Sequence, residues 1–269
     1  MTLNQAYLLL KESGVDNALH DARELFSHFC GASTLELTDR SYSSDNPELI
    51  SAIERRAARE PLQYVIGEVC FYRETYKVTP DCLIPRSDTE ILVDFAVKNI
   101  PSGEHFADLC TGSGCIGISV LKNTADTTAA LVDISDAALK IAKENAVRNG
   151  VSERTEFILC DLMKNEVSGE FFAVLSNPPY VTSDAYKALE PEIYKEPEAA
   201  FVGGADGADF YRTLTPIYKH HIKKDGFIAY EIGFDQAEIL KEIASDNAMS
   251  CEIIKDFSDN ARVAVLRLT

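Results

Sequence analysis

The sequence predicts an α/β fold, a doubly wound sheet preceded by a small helical region. Three observations predict it. From His105 onward, short apolar runs alternate with amphipathic helical segments. Those runs are almost continuously apolar, as in parallel strands covered on both faces. A glycine-rich turn, Asp108-Leu109-Cys110-Thr111-Gly112-Ser113-Gly114, follows the first run and opens a helix.

The helical region comes first. Leu3 to Lys11, Ala18 to Phe29 and Pro47 to Arg59 carry apolar residues at three-to-four spacing, with breaks at Gly14 and Gly31 and Pro47 suited to a first turn. His20 and His28 read as surface or helix-end residues. From Tyr64 to Pro80 the period changes, and Val65, Val69, Phe71, Tyr76 and Val78 suggest two short extended segments in a hairpin. The expected division is therefore a helical domain over 1–63, an extended linker over 64–84 and an α/β domain over 85–269. A helix runs from Thr89 to just before Pro101. Strands follow at His105–Leu109, Ala129–Val132, Glu156–Leu159, Phe172–Ser176, Phe227–Glu231, Cys251–Ile254 and Arg262–Leu268, the last two as an antiparallel pair around Ser258-Asp259-Asn260. Ser135 to Asn149 is a helix, with Ser135 as N-cap and Gly150 as C-cap.

Composition is globular: 46% of 269 residues are hydrophobic and 26% charged, which excludes disordered, fibrous and disulfide-scaffold classes. Lys and Arg total 26 against 43 Asp and Glu, a net charge of −17. Such a surface repels phosphate backbones and argues against non-specific nucleic-acid binding. No run approaches the ~18 apolar residues of a membrane span. The first residues lack a charged leader and a cleavage site, so no secretory signal is expected. The seven cysteines are scattered, odd in number and never spaced Cys-x-x-Cys. Most are expected to be buried small apolar residues in a reducing cytosol, without a metal site.

Gly112, Gly114 and Gly117 spell G-x-G-x-x-G, so a nucleotide cofactor must be considered. Asp133 ends the next strand, where a carboxylate can accept from ribose hydroxyls. To this point NAD and S-adenosylmethionine are equally served. Asp108 separates them: a carboxylate before the glycines repels a pyrophosphate but suits the ammonium of a methionine moiety. Cys160-Asp161-Leu162 ends a third strand, where Asp161 can accept from an adenine amine and Leu162 can pack on the ring. Acidic residues after three successive strands fit a cationic sulfonium better than an anionic dinucleotide.

The most specific signal is Ser176-Asn177-Pro178-Pro179-Tyr180 at the end of a fourth strand. Two prolines fix φ and donate no N–H. The Asn177 side-chain oxygen and the Pro178 carbonyl then form two acceptors that match the two hydrogens of a planar NH₂ group, and Tyr180 offers a flat face. An amide nitrogen is a poor nucleophile, so fixing its hydrogens and its lone pair is what its methylation requires. The same loop would serve the amine of adenine, which keeps a DNA or RNA adenine methyltransferase as the alternative. An NAD-dependent dehydrogenase has no evident use for Asn177 to Tyr180. A catalytically dead binding module is disfavoured by intact Asp108, Asp133 and Asn177.

Further blocks accompany this loop: Glu60-Pro61-Leu62-Gln63-Tyr64 with Gly67, Leu83-Ile84-Pro85-Arg86 with Thr89-Glu90, Gly203-Gly204-Ala205-Asp206-Gly207 with Tyr211-Arg212, Glu231-Ile232-Gly233, and Asp259 to Val263. With them the chain resembles the PrmC/HemK protein-(glutamine-N5) methyltransferases of peptide chain release factors, over nearly its whole length. The resemblance implies a class I S-adenosylmethionine-dependent methyltransferase domain with a Rossmann-like seven-stranded sheet, and a helical domain that helps dock the release factor. It implies the glutamine of the GGQ loop as substrate and S-adenosylhomocysteine as product. The cofactor contacts expected are Asp108, Cys110, Thr111, Gly112, Ser113, Gly114, Asp133, Asp161, Leu162 and Asn177; the substrate contacts are Asn177, Pro178, Pro179, Tyr180 and Arg86. A cytoplasmic monomer without direct nucleic-acid or membrane contact is expected. The chain departs from the family in having Cys110 where glycine is usual and Ser87-Asp88 where proline and glutamate are usual. Cys110 still allows the loop if its φ is negative.

Overall fold

The first helix, α1 (Leu3–Glu12), starts on a reciprocal cap in which the Thr2 hydroxyl accepts from the Gln5 amide and the Gln5 side chain accepts from the Thr2 amide. It is followed by α2 (Ala18–Cys30), α3 (Pro47–Ala57) and the single-turn α4 (Leu62–Ile66). Leu3, Leu10, Leu25, Phe26, Leu49, Ile53 and Val65 meet in one apolar core. Both His20 and His28 are exposed, as expected. The structure, a computed structural model, describes every residue from Met1 to Thr269.

The chain forms two compact units: Met1–Glu68 with Glu190–Lys195, and Val69–Leu189 with Glu196–Thr269. Two readings of the linker are corrected here. Tyr64 and Val65 are helical rather than extended, because Pro61 presets a helical turn that Gly67 closes at φ +86°. The two strands β1 (Glu68–Phe71) and β2 (Glu74–Lys77) pair as a two-stranded sheet, but they are not a free linker. Phe71 and Tyr76 are buried in the core of the second unit, where Tyr76 and Ser119 share a 2.6 Å hydrogen bond. Tyr72 and Arg73 turn the hairpin at positive φ (49° and 75°). The Glu90 carboxylate, accepting from the Tyr72 amide at 2.9 Å, and Asp94, accepting from its hydroxyl at 2.6 Å, hold that turn.

In the second unit come α5 (Glu90–Asn99), β3 (His105–Leu109), α6 (Cys115–Asn123), β4 (Thr128–Asp133), α7 (Asp136–Arg148), β5 (Thr155–Leu159), β6 (Phe171–Ser176), α8 (Ser183–Tyr186), α9 (Asp209–Tyr218), β7 (Ile222–Glu231), α10 (Ala237–Asp246), β8 (Met249–Lys255) and β9 (Ala261–Leu268). The Ser135 hydroxyl caps α7 by accepting from Ala138, and Asn149 rather than Gly150 is the C-cap. The sheet order is β5-β4-β3-β6-β7-β9-β8. Its first five strands are parallel; β9 adds antiparallel to β7, and β8 adds antiparallel to β9 at that edge. Successive side chains of β6 enter opposite layers: Ala173 and Leu175 pack with α5 and α6 residues, and Val174 packs with residues of α9 and α10. The chain winds from β3 outward to β5 and then returns to β6 beside β3. This reversal opens a crevice at the carboxyl ends of β3 and β6, the place where such sheets bind ligands.

Candidate active site

The β3–β6 register, with Leu109 opposite Ser176, brings the glycine loop and the Asn177 loop side by side. The Ser176 hydroxyl donates to the Leu109 carbonyl at 2.6 Å and locks the two strand ends together. Between them and the ends of β4 and β5 lies a cavity of about 270 Å³. Of the expected cofactor residues, Cys110, Gly112, Asp133, Asp161, Leu162 and Asn177 line it, and Pro179 joins them from the substrate set.

The loop is built around two carboxylates. Asp133 Oδ2 accepts from the Gly112 amide at 2.8 Å and Oδ1 from the Ser135 amide at 2.9 Å, so its orientation is fixed while both oxygens keep a lone pair. Asp108 lies behind the loop, fully buried. Its Oδ2 takes the Thr111 hydroxyl at 2.5 Å and the Gly117 amide at 2.9 Å, and its Oδ1 has no partner. Thr111, Ser113 and Gly114 also sit behind the cavity wall rather than on it; the first two are buried, and Gly114 is the N-cap of α6. Burial pushes the Asp108 carboxyl up to about 7 and raises Asp133, partly offset by the backbone amides around each. No lysine or arginine lines the cavity. Asp161 is on the wall, but its oxygens take the Met163 amide at 3.1 Å and the Lys164 ammonium at 2.8 Å, which lowers its pKa. The site therefore offers unmatched negative charge and no cation for a pyrophosphate. A sulfonium cofactor fits this donor set and NAD does not.

Cys110 keeps the loop without meeting the condition of a negative φ. Its φ is +59°, in the left-handed region. The chain must turn at once so that the Thr111 amide reaches the Val132 carbonyl at 3.0 Å, and that turn explains why glycine suits this position. A side chain there costs roughly 1–2 kcal/mol.

On the substrate side, Asn177 donates from Nδ2 to the Thr89 hydroxyl at 3.3 Å. That leaves Oδ1 without a protein donor, and the Pro178 carbonyl is likewise untaken. The Tyr180 hydroxyl donates to Glu231 Oε1 at 3.2 Å, and its carbonyl accepts from Gln236 Nε2 at 3.1 Å. Pro178 and Tyr180 lie off the cavity wall, as does Arg86. Arg86 is an internal clasp: its guanidinium holds the buried Glu196 at 2.5 Å and the Ile84 carbonyl at 2.9 Å, and Glu196 also accepts from the Ile84 amide at 3.0 Å. The Ser87-Asp88 departure is accommodated by Arg262, which pairs with Asp88 at 3.1 Å.

Sequence reasoning gave no role to several residues that shape this loop. A Cβ at Gly203 would lie 2.3 Å from the Pro179 carbonyl oxygen, and one at Gly207 would lie 2.2 Å from that of Tyr180. The glycine block is thus the backing against which the Asn177 loop is pressed. Gln236, 7% exposed, ties Tyr180 to the Gly207 carbonyl. The Gly203–Gly207 spacing was a visible signal; nothing marked Gln236.

Comparison with known proteins finds matches in both units. The methyltransferase small domain matches residues 87–201, and the PrmC N-terminal domain matches residues 2–67. A release factor glutamine methyltransferase of Thermodesulfovibrio yellowstonii is 35% identical, over 93% of this chain and 92% of its own. One of Fusobacterium nucleatum subsp. nucleatum is 33% identical, over 98% of this chain and 77% of its own. A methyltransferase structure from Pyrococcus furiosus shares the fold (TM-score 0.55, 17% identity, 72% of this chain and 89% of that one). With such identity sustained from the helical unit through the last strand, the chain belongs to the release factor glutamine methyltransferase family.

Proposed function

We propose that the chain transfers a methyl group from S-adenosylmethionine to the side-chain amide nitrogen of the glutamine in the GGQ loop of peptide chain release factors. The observation that carries this is the pair of untaken acceptors, Asn177 Oδ1 and the Pro178 carbonyl, beside an acidic cavity with no cation.

The bound cofactor supplies an electrophilic methyl on a sulfonium. Asp133 would hold its ribose and Leu162 its adenine, and the unpartnered Asp108 oxygen supplies negative charge behind the glycine loop. The chain's own residues do the rest. Asn177 Oδ1 and the Pro178 carbonyl accept the two amide hydrogens of the substrate, raise electron density at its nitrogen and aim the lone pair. Tyr180, held by Glu231 and Gln236, presents its ring to the planar amide. With its lone pair so aimed, the amide nitrogen would take the methyl as the carbon–sulfur bond breaks, and its surplus proton would then pass to water. No strong base is needed, so catalysis rests on positioning, which for well-oriented reactants is worth about 7–11 kcal/mol. The helical unit, outside this chemistry, serves to dock the body of the release factor. The reading is of a cytoplasmic monomer with a protein substrate and no direct nucleic-acid contact; no helix is long and apolar enough to cross a membrane.

Isotope-labelled cofactor offered with an equimolar mixture of release factor and adenine-containing DNA or RNA tests the reading. Label in the protein is expected. Label in the nucleic acid would overturn the reading in favour of adenine methylation.

A further inference from the structure

Much of the cavity wall follows directly from strand ends, where the sheet holds it in place. Two stretches do not. Asp81, Cys82 and Leu83 lie between β2 and α5, and Pro197, Ala199 and Ala200 lie between α8 and α9. Both belong to the second unit. The backbone bonds within them are local turns: the Cys82 amide reaches the Thr79 carbonyl at 3.1 Å, and the Ala200 amide the Pro197 carbonyl at 2.9 Å. A local turn shapes a loop without fixing where the loop lies. The second stretch is anchored at its far end, where Val202 bridges to Val181. Its near end begins at Glu196.

We propose that Arg86 and Glu196 are positioning residues for the cofactor: their pairing clamps the two stretches together, keeps the cavity wall closed and slows cofactor release. The inference rests on the reading that this cavity holds S-adenosylmethionine. Ile84 directly follows Leu83, and Glu196 directly precedes Pro197. Glu196 Oε1 accepts from Arg86 Nη2 at 2.5 Å, and Oε2 accepts from the Ile84 amide at 3.0 Å. Arg86 Nη1 donates to the Ile84 carbonyl at 2.9 Å. One carboxylate and one guanidinium thus take both backbone polar groups of Ile84 and close a ring between stretches 110 or more residues apart. The Glu196 side chain is only 2% exposed, so water competes little for these charge-assisted bonds. The rigid fork of a guanidinium is what lets one side chain serve Glu196 and Ile84 together. Pro85 and Pro197, each next to a clasped residue, fix φ there and leave the chain less room to absorb a shift. Arg86 itself is off the cavity wall, so it acts through the loops it holds.

Full-length Glu196→Gln and Arg86→Lys variants test the clasp. Glutamine keeps the size but turns its amide nitrogen toward a donor, so one of the two bonds is lost. Lysine keeps the charge and loses the fork. With either, labelled S-adenosylmethionine in a rapid-filtration chase is expected to dissociate about tenfold faster, with the association rate within about threefold of the parent. Without cofactor, alkylation of Cys82 by iodoacetamide, read by mass spectrometry, should speed up about fivefold or more, while Cys115, buried on α6, stays as slow as in the parent. General loosening would speed both. The double variant Arg86→Met with Glu196→Leu removes the pair without stranding either charge, and it should show the same changes. Parental dissociation rates in all three variants, or equal acceleration at Cys82 and Cys115, would overturn the clasp. So would a raised KM for release factor with cofactor dissociation unchanged, which would make Arg86 a substrate contact. A parent chain that binds no S-adenosylmethionine would instead overturn the cofactor reading beneath it.

Discussion

Replacing Asp133 with alanine tests the cofactor site at its most loaded residue. Its two oxygens already take the Gly112 amide at 2.8 Å and the Ser135 amide at 2.9 Å, and in the proposed complex each uses its remaining lone pair on a ribose hydroxyl. A hydrogen bond to a charged group is worth about 1.5–3 kcal/mol, so losing two costs at least about 3 kcal/mol. At 1.4 kcal/mol per decade this is about 100-fold in affinity. Loosening of the Gly112 turn adds to the loss. Asparagine keeps one acceptor and falls between, about tenfold weaker than the parent. Titration calorimetry with S-adenosylmethionine reads both, and thermal melts establish that the variants are folded. Unchanged affinity in Asp133→Ala would refute the assignment, as would tight binding of NAD by the parent.

Four other predictions follow from the same geometry. Burial pushes Asp108 up to about 7; the folded chain without cofactor therefore holds a proton that the unfolded chain has lost, and this group's stabilising contribution is full below about pH 4 and disappears as pH rises through 7. A cationic cofactor favours the ionised form, so its affinity should tighten from about pH 6 to pH 8 with proton release, and Asp108→Asn should flatten that profile in calorimetry. Asn177→Ala should lose about 100-fold or more in single-turnover rate with cofactor affinity kept, and Asn177→Asp should retain partial activity above that of alanine. Gly207→Ala drives a Cβ to 2.2 Å from the Tyr180 carbonyl oxygen at φ +75° and should sharply reduce methyl transfer; a variant with parental turnover would show that this packing does not set the loop. Arg56 bonds Asp21 at 2.8 Å and Glu192 at 2.9 Å in the helical unit, so Arg56→Met strands a buried carboxylate and should destabilise that unit by about 3–5 kcal/mol in urea melts.

What the sequence makes legible is whatever local chemistry writes onto a strand end. Asp108, Asp133 and Asn177 each follow an apolar run, and the fold indeed gathers those ends at one crevice. His105–Leu109 stands as read, and most other strands shift by only one or two residues at an end. β7 is the exception: its first half, from Ile222 to Gly226, carries Lys223, Lys224 and Asp225 and does not look like a strand. Features set by distant partners are hidden. The hairpin at 68–77 alternates like an exposed linker, yet Tyr76 is buried against α6 through Ser119. Glu190–Lys195 lies far along the chain but joins the helical unit, because Glu192 pairs with Arg56 and Arg59. Cys110 gives no sign of its positive φ, since that comes from where Thr111 must bond.

The central claim is that this crevice methylates one glutamine amide of a protein. Tandem mass spectrometry of purified release factors, after incubation with S-adenosylmethionine and either the parent chain or Asn177→Ala, tests it most directly. The account predicts a gain of one methyl on the glutamine of the GGQ loop with the parent, and little or none with the variant. A methyl on any other residue, no gain at all, or an equal gain with Asn177→Ala would contradict it.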